Sequence, residues 1–123
     1  MASTIQDGDY VFVNKLAYWS KKPQRGDVVV SSLHDNSYQH IIKRIVALPG
    51  ERIKIEHSQV FLKKERIDEW TFLTENYLKS PDIEKNRIKD VGITYITIDP
   101  KEYFALGDNR MVSIDSRVLG SIN

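Results

Sequence analysis

Lys43 is the first residue whose type and surroundings could support catalysis. It lies in the apolar segment HIIKRIVA, where strand alternation would place Ile41, Lys43 and Ile45 on one face. Most strand lysines are solvated, because lysine is almost never fully buried unless it is paired. A lysine desolvated by apolar neighbours instead has a lowered pKa, and its neutral amine near pH 7 can act as a general base.

The segment GDNRMVSIDSR, residues 107–117, is a second candidate because hydroxyl, carboxylate and guanidinium groups crowd it. Ser113, Asp115 and Arg117 are spaced by two, so an extended backbone would place all three on one face. Such a set could position a reacting group. It would equally suit a polar turn with a surface ion pair, which contributes less than ~1 kcal/mol to stability.

The amino-terminal segment MASTIQDGD offers two hydroxyl groups, those of Ser3 and Thr4. Either could in principle be a nucleophile, but most serine and threonine side chains are not, and activation requires a neighbouring base. Spacing alone assigns a nucleophilic role to neither residue.

The elements that must position these residues are mostly strands. Alternating or β-branched runs bounded by Gly, Pro and Asp predict strands at residues 10–15, 27–31, 40–47, 52–55, 60–62, 93–98 and 103–106. The strands at 52–55 and 60–62 form a hairpin around His57 and Ser58. Residues 68–90 are polar and irregular, and they predict a mobile excursion or a helical turn. We therefore expect one all-β, mainly antiparallel domain over residues 1–123, of sandwich or barrel type, with 41–47 at its centre.

Composition excludes several classes of site and partner. The chain has no cysteine, which excludes disulfides and thiolate metal sites. Its three histidines lie in separate segments without a second ligand at metal spacing, so we expect neither a metal nor another cofactor. The net charge of +1 gives no reason to expect nucleic acid. No apolar run approaches the roughly 20 residues of a membrane span.

Taken together, the segments resemble the type I signal peptidase family. The family pattern Ser-Met-x-Pro-Thr-(Leu/Ile), followed by Gly-Asp, fits the start of this chain from its second position, with Ser3 in the place of proline. An Arg-Gly-Asp box followed by valines matches residues 25–30. The family's lysine box resembles residues 41–51, and its last box resembles residues 107–120. Four boxes in the same order span almost the whole chain.

The resemblance implies a Ser–Lys protease on a signal-peptidase or LexA-like β-barrel-type domain. Lys43 would be the general base, and Ser113 would orient its amine. Asp115 with Arg117, and Asp108 with Arg44, would form two supporting pairs. The shallow apolar pockets that accept small residues before the cleaved bond would be lined by Met1, Ile5, Ile41 and Ile42.

The resemblance also implies a location and a partner. The substrates would be the signal peptides of exported preproteins. The protein would lie at the cell membrane through an amino-terminal anchor, with its catalytic domain on the extracellular, or trans, face. The short stretch between the lysine box and the last box resembles the compact enzymes of Gram-positive bacteria.

Two departures from the family pattern lead to an alternative. The family's nucleophilic serine precedes the methionine and would lie directly before Met1, and the family's anchor is also absent from these 123 residues. We expect either a trimmed form of a membrane-anchored peptidase or a non-catalytic homologue that assists assembly of surface proteins such as pili. The LexA-like self-cleaving proteins share the Ser–Lys dyad, but the Leu48-Pro49-Gly50 turn and the last box favour signal peptidase.

The position of the serine predicts the activity of these 123 residues. Without a serine before Met1, the chain should not cleave an Ala-x-Ala signal-peptide substrate, because Ser3 occupies the proline position rather than the nucleophile position. A peptide-cleavage assay on the purified chain checks this. Robust turnover that Ser3→Ala abolishes would instead make Ser3 the nucleophile.

Overall fold

The computed structural model describes residues 1, 4–33, 36–57, 59–78 and 95–123. Within them the chain forms seven strands and one short helix: β1 (Val28–Leu33), β2 (Asn36–Ala47), β3 (Arg52–Glu56), β4 (Gln59–Lys63), β5 (Thr71–Phe72), β6 (Ile96–Thr97), β7 (Phe104–Leu106) and α1 (Ser116–Leu119). All strand pairs are antiparallel. The expectation of an all-β, mainly antiparallel domain is confirmed.

The strands form two sheets. The first has three strands in the order β1-β2-β7, and the second has four in the order β5-β4-β3-β6. The long strand β2 is the centre of the first sheet, as its apolar sequence predicts. Strands β3 and β4 form the predicted hairpin, in which Ile53 pairs with Leu62 and Ile55 with Val60. His57, in the hairpin turn, has a positive φ of 49°.

The hydrophobic core joins the two sheets. Its buried side chains come from β2, β7, the β3–β4 hairpin and the residue after β6: Val46, Ala47, Ile53, Ile55, Val60, Leu62, Ile98, Phe104 and Leu106. The hairpin residues alternate between buried and exposed positions, which is the pattern of strands with one face in a core. The core therefore anchors one end of β2 and leaves its preceding residues, 41–44, for the site.

The strand predicted at residues 10–15 is absent, and that prediction is wrong. The segment has no strand geometry, and the side chains of Tyr10 and Phe12 are 97% and 99% exposed. A strand needs a hydrogen-bonding neighbour and a buried face, and this segment has neither among the described residues. Alternation of apolar residues was thus a misleading signal, since both faces of the segment meet solvent.

Two elements were not predicted. The two-residue strand β5 lies within the predicted excursion at 68–90, where Leu62 pairs with Thr71. Of this excursion, residues 79–90 lie outside the described part of the chain, as does Ser58 of the hairpin turn. The helix α1 follows Asp115, whose carboxylate accepts a hydrogen bond from the Arg117 N–H as an N-cap.

Within the described ranges, no helix has the length and apolarity that crossing a bilayer requires.

Packing of the hairpin predicts which side chains cannot be shortened without destabilising the fold. Ile53→Ala should lower the free energy of unfolding by about 2–5 kcal/mol, because it leaves a cavity in a fully buried layer. Ile67→Ala, at a half-exposed position, is the matched control and should cost much less. Urea denaturation measures both, and equal losses would mean that the hairpin does not form the core.

Candidate active site

Strand β2 presents two neighbouring cations to opposite faces of its sheet. Lys43 pairs with Val29 of β1, while Arg44 pairs with Val28 of β1 and Leu106 of β7. Because side chains alternate along a strand, Lys43 and Arg44 point in opposite directions. Two adjacent basic residues therefore have different surroundings.

Arg44 is buried against Asp108 in a two-pronged ion pair. Its Nε donates to Oδ1 at 3.0 Å and its Nη2 to Oδ2 at 2.8 Å. Its Nη1 donates to the Gly26 carbonyl oxygen at 2.8 Å. Burial alone would raise the pKa of Asp108, but the hydrogen bonds from Arg44 and Thr4 outweigh it, so the pKa is lowered. Asp108 is therefore a permanent anion at neutral pH.

Asp108 also holds the amino-terminal segment. The Thr4 hydroxyl donates to its carboxylate, and its own N–H lies 3.4 Å from the Met1 sulfur. The N–H groups of Thr4 and Ile5 donate to the Met1 carbonyl oxygen at 2.8 and 2.7 Å. A single carboxylate thus connects the start of the chain, strand β2 and the loop after β7.

The second ion pair, between Asp115 and Arg117, lies beside the loop that carries Ser113. Arg117 Nε donates to Oδ1 at 2.7 Å and Nη2 to Oδ2 at 2.8 Å, while the Gly107 N–H donates to Oδ2 at 3.0 Å. Asp115 is fully buried. Burial would raise its pKa, yet the hydrogen bonds from Arg117 and Gly107 keep the pKa below its ordinary value.

Ser113 occupies the space that the missing side chain of Gly107 leaves. A Cβ atom placed on Gly107 would lie 2.1 Å from the Ser113 Oγ, a distance that real atoms cannot adopt. Continuing the β2–β7 register by one residue places Gly107 opposite Lys43, where directly opposed Cβ atoms are about 4.5–5.5 Å apart. The Ser113 hydroxyl therefore lies on the face of the sheet to which Lys43 also points.

The Ser113 Oγ is buried and makes no hydrogen bond of normal geometry to the described residues, although it lies close enough to the Asp115 carboxylate to help lower the pKa of that group. Buried hydroxyls are nearly always paired, so an unpaired one indicates a group kept for chemistry or for a partner that arrives later. Lys43 is half-buried beside it. Desolvation lowers the pKa of the Lys43 amine, and the Arg117 charge acts in the same direction while Asp115 opposes it. This arrangement suits an amine that loses its proton more readily than an exposed lysine.

The residues expected to line apolar pockets, Met1, Ile5, Ile41 and Ile42, are all partly buried. Ile42 lines an open, mainly apolar cavity between strand β1 and residues 11–18. Within the described part of the chain, Met1, Ile5 and Ile41 are not among the residues that line it. Ser3 lies outside the described residues.

Three residues of the site gave no usable signal in the sequence. The sequence offers Thr4 as a possible nucleophile, whereas its hydroxyl donates a hydrogen bond to Asp108. Glu75 and Tyr77 fall in the irregular segment, yet Glu75 forms a buried ion pair with Arg110, and the Tyr77 ring lies 4.2 Å from the Arg44 guanidinium carbon. Contacts between residues more than 30 positions apart leave no periodic pattern that could identify them.

The unpaired hydroxyl predicts an unusual stability effect. Ser113→Ala should leave the free energy of unfolding unchanged or raise it by about 1 kcal/mol, because no hydrogen bond to described residues is lost. Ser116→Ala is the matched control. Its Oγ accepts from the Ala105 N–H at 3.0 Å, so removing it should cost about 1–3 kcal/mol. Urea titrations measure the free energy of unfolding of both variants, and equal destabilisation would contradict the assignment of Ser113 as an unpaired hydroxyl.

Comparison with known proteins identifies the family. The family model described as "Signal peptidase, peptidase S26" matches residues 1–123. Signal peptidase I U of Bacillus subtilis is 32% identical over 123 residues, covering 95% of this chain and 60% of that protein. Signal peptidase I V of the same species is 34% identical, covering 99% and 72%.

The fold agrees with a solved relative. The crystal structure of a signal peptidase I from Enterococcus faecalis superposes with a TM-score of 0.63 at 30% identity, covering 84% of this chain and 91% of that one. Against the first curated relatives, the chain spans about three fifths of their length. By its family match, its relatives and its fold, the chain belongs to the signal peptidase family, peptidase S26.

Proposed function

We propose that the protein is a membrane-bound serine endopeptidase that removes signal peptides from exported preproteins through a Ser–Lys dyad. In this proposal Lys43 is the general base and Ser113 orients its amine. The observation that carries it is the buried, unpaired Ser113 hydroxyl on the face of Lys43. A hydroxyl with a free lone pair, held rigidly over a glycine, can accept one N–H of the amine and so fix where its lone pair points.

The proposed chemistry follows from the protonation state of Lys43. The nucleophile in this proposal is the serine that the family carries directly before Met1. Its hydroxyl is a weak nucleophile until a base removes its proton, and a protonated lysine cannot act as that base. Desolvation lowers the pKa of Lys43, which increases the neutral fraction. The neutral amine takes the serine proton as the oxygen attacks the substrate carbonyl. The resulting ammonium then donates that proton to the leaving amine, which regenerates the neutral base that later takes a proton from the water releasing the acyl group.

Asp115 and Arg117 support the dyad in two ways. The Arg117 guanidinium neutralises Asp115 and also donates to the Ser113 carbonyl oxygen at 3.3 Å. A fully ionised, unpaired Asp115 would stabilise the lysine ammonium and oppose deprotonation, as the sign of its effect on the Lys43 pKa indicates. The pairing therefore limits this effect and holds the serine loop in place.

The surface of the amino-terminal part of the chain supports the membrane location. Tyr10, Phe12 and Trp19 are more than four-fifths exposed. Aromatic side chains of this kind are enriched at membrane–water interfaces, where their rings lie at the level of the headgroups. Such a surface would bring the site to signal peptides while they are still in the bilayer, with the catalytic domain on its trans face.

Substitution of Lys43 tests the general-base role. In a version of the chain with a serine placed directly before Met1, Lys43→Ala and Lys43→Arg should both abolish cleavage of an Ala-x-Ala peptide. Arginine fails because its guanidinium does not deprotonate in this range. Circular dichroism should show that the fold survives. Near-normal turnover by Lys43→Arg would end the assignment, while no turnover by the parent would favour the non-catalytic homologue.

The pH dependence gives a separate check. The pKa of Lys43 in the fold lies below its ordinary value of 10.5, so kcat/KM should rise with pH and level off below that value. The stability changes in the same direction. Since the unfolded chain binds the Lys43 proton more tightly, unfolding free energy should increase as pH rises from the folded toward the unfolded pKa. Lys43→Met should flatten that increase in urea titrations, and an unchanged slope would mean that Lys43 is not desolvated.

A further inference from the structure

A buried ion pair outside the dyad joins two distant parts of the chain. Arg110, which is 1% exposed, is held by Glu75 from the segment after β5. Arg110 Nη1 donates to Glu75 Oε2 at 3.0 Å, and its Nη2 donates to Oε1. The Arg110 Nε is directed the other way and donates to the Gly107 carbonyl oxygen at 3.1 Å. One guanidinium therefore ties Glu75 to the glycine on which Ser113 rests.

Tyr77 connects the same carboxylate to the other supporting pair. Its hydroxyl donates to Glu75, and its ring lies 4.2 Å from the Arg44 guanidinium carbon in a cation–π contact. Burial and the Glu75 charge raise the pKa of Tyr77, so the phenol stays protonated and remains a donor. Arg44 then binds Asp108, the residue after Gly107. The contacts of Arg110 with Glu75, of Glu75 with Tyr77, of Tyr77 with Arg44 and of Arg44 with Asp108 thus begin and end within residues 107–110.

We propose that Glu75 and Tyr77 are positioning residues, which act through Arg110 and Arg44 to hold residues 107–113 in register with Lys43. The proposal rests on the function proposed above. It assigns a role to the segment at residues 73–78, which contains none of the residues of the dyad or its two supporting ion pairs.

The physical reason is the position of the charges. Without the Glu75 carboxylate, Arg110 would be a buried cation with only carbonyl oxygen acceptors, an arrangement that proteins avoid. Asp108 is a second carboxylate on which the charge of Arg110 acts. Burial raises the pKa of Asp108, and the positive charges of Arg44 and Arg110 act against that increase. A released Arg110 would therefore compete with Arg44 and Thr4 for Asp108 and would let go of the Gly107 carbonyl.

Gly107 transmits such a change to the dyad. Its lack of a side chain makes room for the Ser113 hydroxyl, so a small rotation of its peptide moves Ser113 relative to Lys43. A misplacement of about 1 Å in a catalytic arrangement can reduce the rate 100-fold. The expected signature is a lower kcat with little change in KM, because neither Glu75 nor Tyr77 lines the apolar cavity that Ile42 lines.

Glu75→Gln is the main test variant, in the version of the chain that carries a serine before Met1. Glutamine keeps the shape and removes the charge. We expect kcat to fall about tenfold or more while KM changes by less than about twofold. Glu56→Gln, which removes an exposed carboxylate paired with Lys54 at 3.1 Å, is the matched control and should leave both unchanged. Tyr77→Phe keeps the ring over Arg44 and should lower kcat to a smaller extent.

Amide hydrogen exchange separates positioning from general destabilisation and needs no activity. In Glu75→Gln, exchange at the Gly107 and Ser113 N–H groups should become about tenfold faster, while the core amides of Ile53 and Val60 keep their rates. The Gly107 N–H donates to Asp115 and the Ser113 N–H donates to the Asn109 carbonyl oxygen, and both hydrogen bonds depend on the loop conformation.

The outcomes distinguish the two proposals. Unchanged kcat in folded Glu75→Gln and Tyr77→Phe overturns the positioning role, as does equal acceleration of loop and core exchange. If the parent does not cleave peptide, the proposed function fails and the exchange data alone decide whether Glu75 holds the loop. If Glu75→Gln does not fold, Tyr77→Phe gives the same two readouts.

Discussion

The buried ion pair between Arg44 and Asp108 is the interaction on which the rest of the site depends. It joins the central strand of the first sheet to the loop after β7, and the same carboxylate binds the Thr4 hydroxyl. Burying two charges gains little net stability, but removing one partner leaves an uncompensated buried charge at a cost of about 3–5 kcal/mol. The pair therefore specifies an arrangement more than it strengthens the fold, and each segment it connects carries a residue near the site.

The alternation of β2 allows two opposite electrostatic requirements to be met side by side. Arg44 must stay charged, and the hydrogen bonds it donates to Asp108 raise its pKa further. In the proposed mechanism Lys43 loses its proton, and desolvation lowers its pKa. Because adjacent side chains point to opposite faces, the carboxylate that stabilises one cation lies across the sheet from the other. A single strand can thus hold a permanent cation and a candidate base in consecutive positions.

The sequence predicted the parts of the structure that depend on local pattern. The apolar run 40–47 gave the central strand, and the β3–β4 hairpin follows from alternation and its turn. The pairs Arg44–Asp108 and Asp115–Arg117, expected from the resemblance, are close ion pairs in the fold. Residues 10–15 show where pattern fails, since alternation without a neighbouring strand does not make a strand. Helix α1 had a readable signal in Asp115 as N-cap and Gly120 as its end, but four residues are too few for periodicity.

The contribution of Glu75 could not be predicted, for a physical reason that also explains its position. A carboxylate satisfied by Arg110 has the same sequence surroundings as one satisfied by water, so only the folded chain distinguishes them. Its partner Arg110 binds the carbonyl oxygen of Gly107, whereas the Ser113 hydroxyl occupies the space where Gly107 has no side chain. The loop is therefore held firmly by its backbone while the one hydroxyl that faces Lys43 has no partner among the described residues. Strong ion pairs near a site allow an unpaired hydroxyl within it, because the ion pairs stabilise the loop without taking part in the chemistry.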